Sequence, residues 1–266
     1  MNDPFFIAAD RLPPGFAERL GHAPEHPAEP RPAATAVLLR DAAGGLEVLL
    51  LRRPQSVGFV PGAYVFPGGR VDDADADARL IALSDAAPPE PEVKYRHAAV
   101  REVFEETGVL LAYDAQGRPA PDAHDARLAR WREALRREEA VLADVLEAEA
   151  RRLRPHALVY GAHWVTPVAE PRRYDTRFFL AGLPPGRSVL ADPREVTDAL
   201  WLGPADALRR FRAGVLPMVF PTLKMLESLD GLGGTDEALA RFRGRPVPTM
   251  QPRLVRTPEG VRMVLD

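Results

Sequence analysis

The stretch that decides the fold of this 266-residue chain is Arg101-Glu102-Val103-Phe104-Glu105-Glu106-Thr107-Gly108-Val109. At about 100° per residue, a helix through it gathers the apolar side chains on one face and the three glutamates on the other. Like charges three and four positions apart cost a few tenths of a kcal/mol per pair, so the cluster predicts a compensating cation. All-oxygen ligation favours Mg²⁺ or Mn²⁺ over zinc. The glutamates alone leave a solvated acidic helix face as an open alternative.

The flanking sequence indicates where this helix ends and which upstream motif accompanies it. We predict a helix over 92–107 that ends at Gly108, a residue suited to the left-handed position after a helix. Upstream, Phe66-Pro67-Gly68-Gly69 closes a short apolar stretch. Paired glycines let the backbone approach a bulky anionic ligand without a Cβ in the way. The two motifs together favour a ligand site over a merely solvated face.

Taken together, the two motifs resemble the Nudix box, whose pattern is G-x5-E-x7-R-E-U-x-E-E-x-G-U with U a bulky aliphatic residue. The second half matches at every specified position. In the first half, Asp75 stands where the pattern has Glu. Between Asp75 and Arg101 lie 25 residues where the pattern has seven, so an insertion at about 76–93 must loop out before the helix.

The resemblance implies a chemistry, because Nudix enzymes cleave a diphosphate linked to another group. It implies that Glu102, Glu105 and Glu106 hold Mg²⁺ or Mn²⁺, with Glu105 also in the catalytic group. It implies that Arg101 orients a neighbouring carboxylate and so belongs to the catalytic group too. Asp75 is a further candidate metal ligand, with a solvated acidic turn as the alternative. Metal ions neutralise the diphosphate and lower the pKa of an attacking water, so no covalent nucleophile is needed.

The box does not fix the general base. In several Nudix enzymes it is a Glu on a loop before a late strand, and Glu195, six residues ahead of Trp201, occupies such a place. Glu170 is the second candidate. The predicted substrate-binding residues are two glycines and three arginines: Gly68, Gly69, Arg53, Arg173 and Arg177.

Further segments extend the resemblance over most of the chain. They are Leu49-Leu-Leu-Arg-Arg53, the stretch 58–69, Trp164-Val-Thr-Pro167 and the stretch 173–180. These resemble the branch of the Nudix family that contains the mammalian peroxisomal coenzyme A diphosphatase, which also has a long insertion in the box. The branch implies hydrolysis of coenzyme A (CoA) or acyl-CoA to adenosine 3′,5′-bisphosphate and a phosphopantetheine. The alternatives are another conjugate, such as ADP-ribose, NADH or a dinucleoside polyphosphate, or a non-catalytic nucleotide sensor.

The order of elements predicts an α+β (mixed α/β) fold, because strands and helices are mixed without regular βαβ alternation. Strands are predicted near 34–40, 46–52, 64–66, 109–113, 157–165, 175–183 and 196–202. Helices are predicted within 122–154 and at 204–214 and 222–229, with a terminal hairpin at 253–265. The resemblance implies a Nudix α/β/α sandwich with a mixed central sheet and inserted helices. We predict an irregular Pro-rich leader (1–32) and one domain (33–266), with insertions at about 76–93 and 114–155.

The composition limits the classes of site and of binding partner that the chain is expected to have. The chain has no cysteine, which excludes disulfides and thiolate metal sites, and its net charge is −3. Arginine accounts for all but two of its 35 basic residues. The overall charge does not favour binding to nucleic acid or to a membrane surface. No apolar stretch approaches the ~20 residues of a membrane helix. A cytoplasmic location is expected. The leucine stripe at 128–153 predicts a helical hairpin packed on the domain, with a homodimer interface or a lid as the alternative.

Overall fold

The computed structural model describes residues 6–8, 27–54, 62–85, 93–184, 186–192, 194 and 196–265. Its strands are β1 (Phe6–Ala8), β2 (Arg31–Ala42), β3 (Gly45–Arg52), β4 (Tyr64–Val65), β5 (Gly68–Arg70), β6 (Val159–Val165), β7 (Tyr174–Gly182), β8 (Asp198–Leu202), β9 (Thr249–Met250), β10 (Arg253–Thr257) and β11 (Gly260–Val264). Its helices are α1 (Ala78–Ala82), α2 (Val93–Thr107), α3 (Ala126–Arg136), α4 (Leu142–Ala148), α5 (Pro204–Arg212), α6 (Phe220–Leu229) and α7 (Thr235–Phe242), with 3₁₀ turns at Asp73–Ala76 and Pro155–Ala157.

A mixed sheet forms the centre of the fold. Its strands follow in the order β4-β3-β2-β7-β6-β9, with β5 beside β2 and β8 beside β3. Strand β2 runs parallel to β7 and antiparallel to β3 and β5. One edge of β2 pairs with β5 at residues 33–35 and with β3 at residues 39–42. The divided edge brings the glycine pair of β5 into the middle of the sheet.

Helices cover both faces of this sheet. On one face, Ala34, Ala36 and Leu38 of β2 pack in a cluster with α2, α3 and α4. On the other, Val37 and Leu39 pack in a cluster with α5, α6 and α7. Because successive strand residues point to opposite faces, β2 is buried on both sides and reads as an almost continuous apolar run. The predicted fold class, a mixed sheet between helical layers, is confirmed.

Helices α3 and α4 contribute side chains to the core. Leu128 and Leu135 of α3 and Leu142 and Leu146 of α4 are at most 5% exposed and join the cluster beneath α2. The predicted helical hairpin is therefore confirmed, and its leucine stripe is already covered. The dimer-interface alternative loses the surface on which it was based.

The predicted strand at 109–113 is wrong. Residues 109–112 are all buried, yet only Tyr113 makes isolated bridges, to Pro119 and Arg152. The amide of Ala112 bonds to the carbonyl of Leu110, so the chain turns instead of extending along a partner. A short apolar run signals burial, and its periodicity does not distinguish a buried strand from a buried irregular segment.

The predicted irregular leader contains regular structure at both ends. Strand β1 pairs antiparallel with β11, which also pairs with β10, and together they form a small three-stranded sheet. Strand β2 already begins at Arg31. A three-residue strand among prolines is too short to give a periodic pattern. The sequence pattern likewise does not predict helices α1 and α7.

No helix in the described part of the chain is both long and apolar enough to span a bilayer.

Candidate metal centre and substrate cleft

Helix α2 presents its glutamates as the helical wheel predicts. Val103 and Phe104 are fully buried, whereas the side chains of Glu102 and Glu105 stay 14% and 15% exposed. The helix ends at Gly108, whose φ of +72° lies in the left-handed region that a residue with a Cβ rarely adopts. The three carboxylates thus line the last two turns of one rigid helix.

A buried arginine ties this helix to the first half of the box. The Nε and Nη2 of Arg101 donate to the two oxygens of Asp75, both at 2.9 Å. Its Nη1 donates to Glu102 at 2.9 Å and to Glu105 at 3.3 Å, and its Nη2 also donates to the carbonyl of Arg70. Against the effect of burial, these carboxylates raise the pKa of Arg101, which keeps its charge. Arg101 orients two of the candidate ligands and contacts both halves of the box.

Both carboxylate oxygens of Asp75 are taken by protein donors. Besides the fork from Arg101, the Oδ2 atom of Asp75 accepts from the amide of Asp72 at 2.8 Å. The side chain is 1% exposed. Behind it, His97 lies at hydrogen-bond distance from the carbonyl of Asp75 and is buried, which lowers the pKa of the imidazole. Asp75 therefore faces inward, toward the guanidinium and the protein interior.

The glycine pair lies directly against these carboxylates. The amide of Gly68 donates to Glu106 at 3.1 Å, and strand β5 holds Gly69 opposite Ala34. A Cβ on Gly69 would stand 2.4 Å from an oxygen of Glu102. Only glycine at this position therefore leaves space for the carboxylate of Glu102. A Cβ on Gly68 would stand 2.3 Å from the carbonyl oxygen of Ala34.

Substitutions of the two glycines are expected to affect different properties, metal binding at Gly69 and stability at Gly68. We expect Gly69→Ala to displace the flexible carboxylate of Glu102, weakening divalent-metal binding roughly tenfold with little loss of stability. We expect Gly68→Ala to force backbone apart and to destabilise the fold by roughly 1–3 kcal/mol. Metal titration by calorimetry and thermal unfolding check the pair. Equal metal affinity in wild type and Gly69→Ala would contradict the assignment.

The electrostatics of the cluster suit a hard cation. Burial raises the pKa of Glu102 to about 7, against the opposing effect of Arg101. A bound metal ion would favour the ionised form of Glu102, because its positive charge opposes the effect of burial on the carboxylate. As the side chains stand, with Arg101 between Glu102 and Glu105, no group of three or more His, Asp or Glu in the described part of the chain has the arrangement of a metal site. The donor set nonetheless fits an oxygen-coordinated ion, since three glutamates lie on the last two turns of one helix.

A cleft of about 540 Å³ opens beside these residues. Its charged lining combines two carboxylates with four arginines from three chain segments: Glu102, Glu106, Arg52, Arg53, Arg70 and Arg194. Tyr174 and Thr176 of β7 contribute polar side chains to the wall. The Nε of Arg53 is buried and has no hydrogen-bond partner in the described part of the chain. Such a group suits an anionic ligand, which would satisfy it.

Two of the three predicted substrate-binding arginines lie elsewhere. Arg173 is buried and donates to the carbonyls of Thr166 and Ala28, so it secures the chain ahead of β7. Arg177 lies over the ring of Tyr95 on α2, 4.4 Å from its centroid. Neither is among the described residues that line the cleft, whereas Arg53, Gly68 and Gly69 are.

The predicted general bases differ in what the structure describes. Glu195 lies outside the described residues. Glu170 follows a turn at Pro167, where burial raises its pKa, and it is not one of the described residues lining the cleft. Sequence reasoning missed Arg70, Arg194 and Thr176. The alternation of β7 could have suggested Thr176, since Tyr174 and Thr176 share the face opposite Arg177.

Comparisons with known proteins agree with this geometry. A family model described as the NUDT19 Nudix domain matches residues 82–229, more than half of the chain. The acyl-coenzyme A diphosphatase NUDT19 of Gallus gallus is 32% identical, with 63% of this chain and 56% of the relative covered. The Homo sapiens protein of that name is 31% identical over 64% and 56%. The chain spans about half the length of these relatives.

A solved structure extends the similarity. The crystal structure of a Nudix hydrolase from Alicyclobacillus acidocaldarius matches with a TM-score of 0.67 and 30% identity. The match covers 82% of this chain and 99% of that one. The chain therefore belongs to the Nudix hydrolase family and is of the NUDT19 type, which accounts for its glutamate helix, its glycine pair and its sheet between helical layers.

Proposed function

We propose that the protein is a metal-dependent hydrolase that cleaves the diphosphate of CoA or acyl-CoA by attack of water. The products are adenosine 3′,5′-bisphosphate and phosphopantetheine or its acyl form. One observation carries the proposal: Glu102 and Glu106 open onto the same cleft as Arg53, whose Nε is buried and unsatisfied in the described part of the chain. The similarity to acyl-CoA diphosphatases supports the substrate.

The carboxylates divide into ligands and a positioning group. We assign Glu102, Glu105 and Glu106 as the residues that hold Mg²⁺ or Mn²⁺. When bound, the ion neutralises diphosphate charge and lowers the pKa of water. Arg101 is a positioning residue that fixes the carboxylates of Glu102 and Glu105. Asp75 fits a positioning role better than the metal-binding role expected from sequence, because both its oxygens already accept protein hydrogen bonds.

Residues of the cleft wall would bind and activate the substrate. Arg53 and Arg70 suit the anionic oxygens of a diphosphate, since guanidinium groups form strong hydrogen bonds with phosphate. Glu195 remains our proposed general base, taking the proton of the attacking water; its neighbours Arg194 and Val196 line the cleft. We place this activity in the cytoplasm, as the sequence predicts.

Replacing Arg53 tests the binding role of the cleft. We expect Arg53→Gln to raise KM for the diphosphate roughly tenfold, the effect of losing one hydrogen bond between charged groups, and to leave kcat within about threefold. Steady-state kinetics check the split. Arg130→Gln, an exposed change on α3, is the matched control. An unchanged KM in Arg53→Gln would remove this residue from the binding site.

The proposed reaction is tested by product analysis. The protein is incubated with Mg²⁺ or Mn²⁺ and, separately, with CoA, acyl-CoA, ADP-ribose, NADH and a dinucleoside polyphosphate, in water enriched in ¹⁸O. We expect adenosine 3′,5′-bisphosphate and phosphopantetheine by mass, with one ¹⁸O in one of the two products. Cleavage of another conjugate while CoA is untouched would overturn the substrate. Absence of turnover on every compound would overturn the enzymatic proposal.

A further inference from the structure

The loop that borders the cleft is attached to the end of the glutamate helix. The amide of Leu190 donates to the carbonyl of Thr107 at 2.8 Å, and the amide of Asp192 donates to the carbonyl of Glu106 at 3.1 Å. The last carbonyls of a helix have no partner within the helix, so the loop supplies donors that α2 lacks. These two bonds fix the start of the loop relative to a proposed metal ligand.

The inserted helix α3 anchors the same loop through its side chains. Arg136 forms an ion pair with Asp192, and their side chains are only 9% and 5% exposed. Asp192 in turn accepts from the amide of Arg194 at 2.9 Å, and its carbonyl accepts from the amide of Val196 at 2.7 Å. Because Asp192 bonds to the amides of Arg194 and Val196, its buried partner on α3 holds these two residues in place.

A second contact from α3 reaches the cleft itself. Glu133 accepts from the Nη2 of Arg194 at 2.6 Å, and Arg194 lines the cleft together with Glu102 and Glu106. The preceding residue of α3, Arg132, donates from its Nε to the carbonyl of Glu105 at 2.8 Å. The insertion therefore contacts both the helix that carries the carboxylates and the loop that faces them.

We infer that Glu133 and Arg136 are positioning residues for the proposed reaction, which hold the described residues of the loop (190–192, 194 and 196) in register with the C-terminal end of α2. Through them helix α3 keeps Arg194 at the cleft, beside Glu102 and Glu106. The inference rests on the proposed function for its catalytic consequence. The anchoring of the loop by α3 can be measured without any substrate.

Hydrogen exchange tests the anchoring. In Arg136→Gln, we expect the amides of Leu190, Asp192 and Val196 to exchange roughly tenfold faster, because local opening loses its main restraint. Amides of α2 within 93–103 are expected to stay within about twofold of wild type. Arg130→Gln, on an exposed part of the same helix, is the control and should leave the loop unchanged. Unchanged loop exchange in Arg136→Gln, or equal acceleration throughout α2, would overturn the inference.

Kinetics of the milder variant test the catalytic consequence. The partner pair Glu133–Arg194 is partly exposed, so Glu133→Gln should fold like wild type. We expect its kcat to fall roughly tenfold, with KM within about threefold, because misplaced groups cost rate more than binding. Glu139→Gln, an exposed change just beyond α3, is the matched control. A kcat of Glu133→Gln equal to that of the control would overturn the positioning role.

A double-mutant cycle separates positioning from general destabilisation. If Glu133 acts through Arg194, the double variant Glu133→Gln with Arg194→Gln should be no slower than Arg194→Gln alone. Additive losses would overturn this route. If the substrate panel finds no turnover, the exchange experiment still decides the anchoring, so failure of the proposed function and failure of this inference are distinguishable.

Discussion

Glu106→Gln is expected to lower kcat for diphosphate cleavage roughly a hundred- to a thousandfold, the scale of losing one preorganised charge contact in a transition state. Glu106 lies on the last turn of α2, accepts from the amide of Gly68 and lines the cleft. Glutamine keeps the shape of the side chain and removes the charge that would hold the cation. Initial rates with Mg²⁺ and with Mn²⁺ measure the loss.

The same variant separates metal binding from folding. A ligand that binds only the native state raises Tm, so Mg²⁺ or Mn²⁺ should raise the Tm of wild type and much less that of Glu106→Gln. The control Glu227→Gln removes a surface ion pair with Lys224 on α6 and should keep the full metal-induced shift. Turnover and metal-induced shift both equal to wild type in Glu106→Gln would contradict the metal assignment.

Asp75→Asn is expected to destabilise the fold by roughly 3–5 kcal/mol, because it removes the most deeply buried of the carboxylates that neutralise the guanidinium of Arg101. For a chain of this size, that corresponds to a fall in Tm of roughly 10 °C. The asparagine keeps the size of the side chain, so the loss reports on charge and on the two 2.9 Å bonds from Arg101. Thermal and urea unfolding of the metal-free protein measure it.

Asp72 provides the matched control for this change. It also faces Arg101, at 3.4 Å, but its side chain is 52% exposed. We expect Asp72→Asn to cost less than about 1 kcal/mol, the scale of an exposed ion pair. Equal effects of the two substitutions would show that Asp75 is not the main partner of Arg101. A loss of metal binding in Asp75→Asn with unchanged stability would favour the metal-ligand role instead.

The glutamate helix could be predicted because its determinants are local. Helical periodicity separates the carboxylates from Val103 and Phe104, and Gly108 marks the end of the helix. The hairpin of β2 and β3 follows in the same way from two apolar runs around a glycine-rich turn. Each of these features depends on neighbours within a few residues.

The wall of the cleft could not be predicted in the same way. Arg173 and Arg177 flank the stretch 174–176, which resembles the family, but which face of β7 borders the cleft depends on the pairing of β7 with β2. Arg194 reaches the cleft because contacts from the distant helix α3 hold its loop there. Such placements follow from long-range pairing, which one sequence does not reveal. The irregular path of residues 109–112 is not predictable for a different reason, because a short apolar run indicates burial without distinguishing a strand from an irregular segment.

The fork between Asp75 and Arg101 also explains how a motif can be interrupted in sequence and remain whole in space. Lengthening the connection from seven residues to 25 costs about 1 kcal/mol in loop-closure entropy, because that cost grows only with the logarithm of length. Breaking the buried charged pair would cost more than this. What this site requires is the contact, and the number of residues between its two halves is free to vary. Insert length can therefore drift during evolution while the chemistry of the site stays the same.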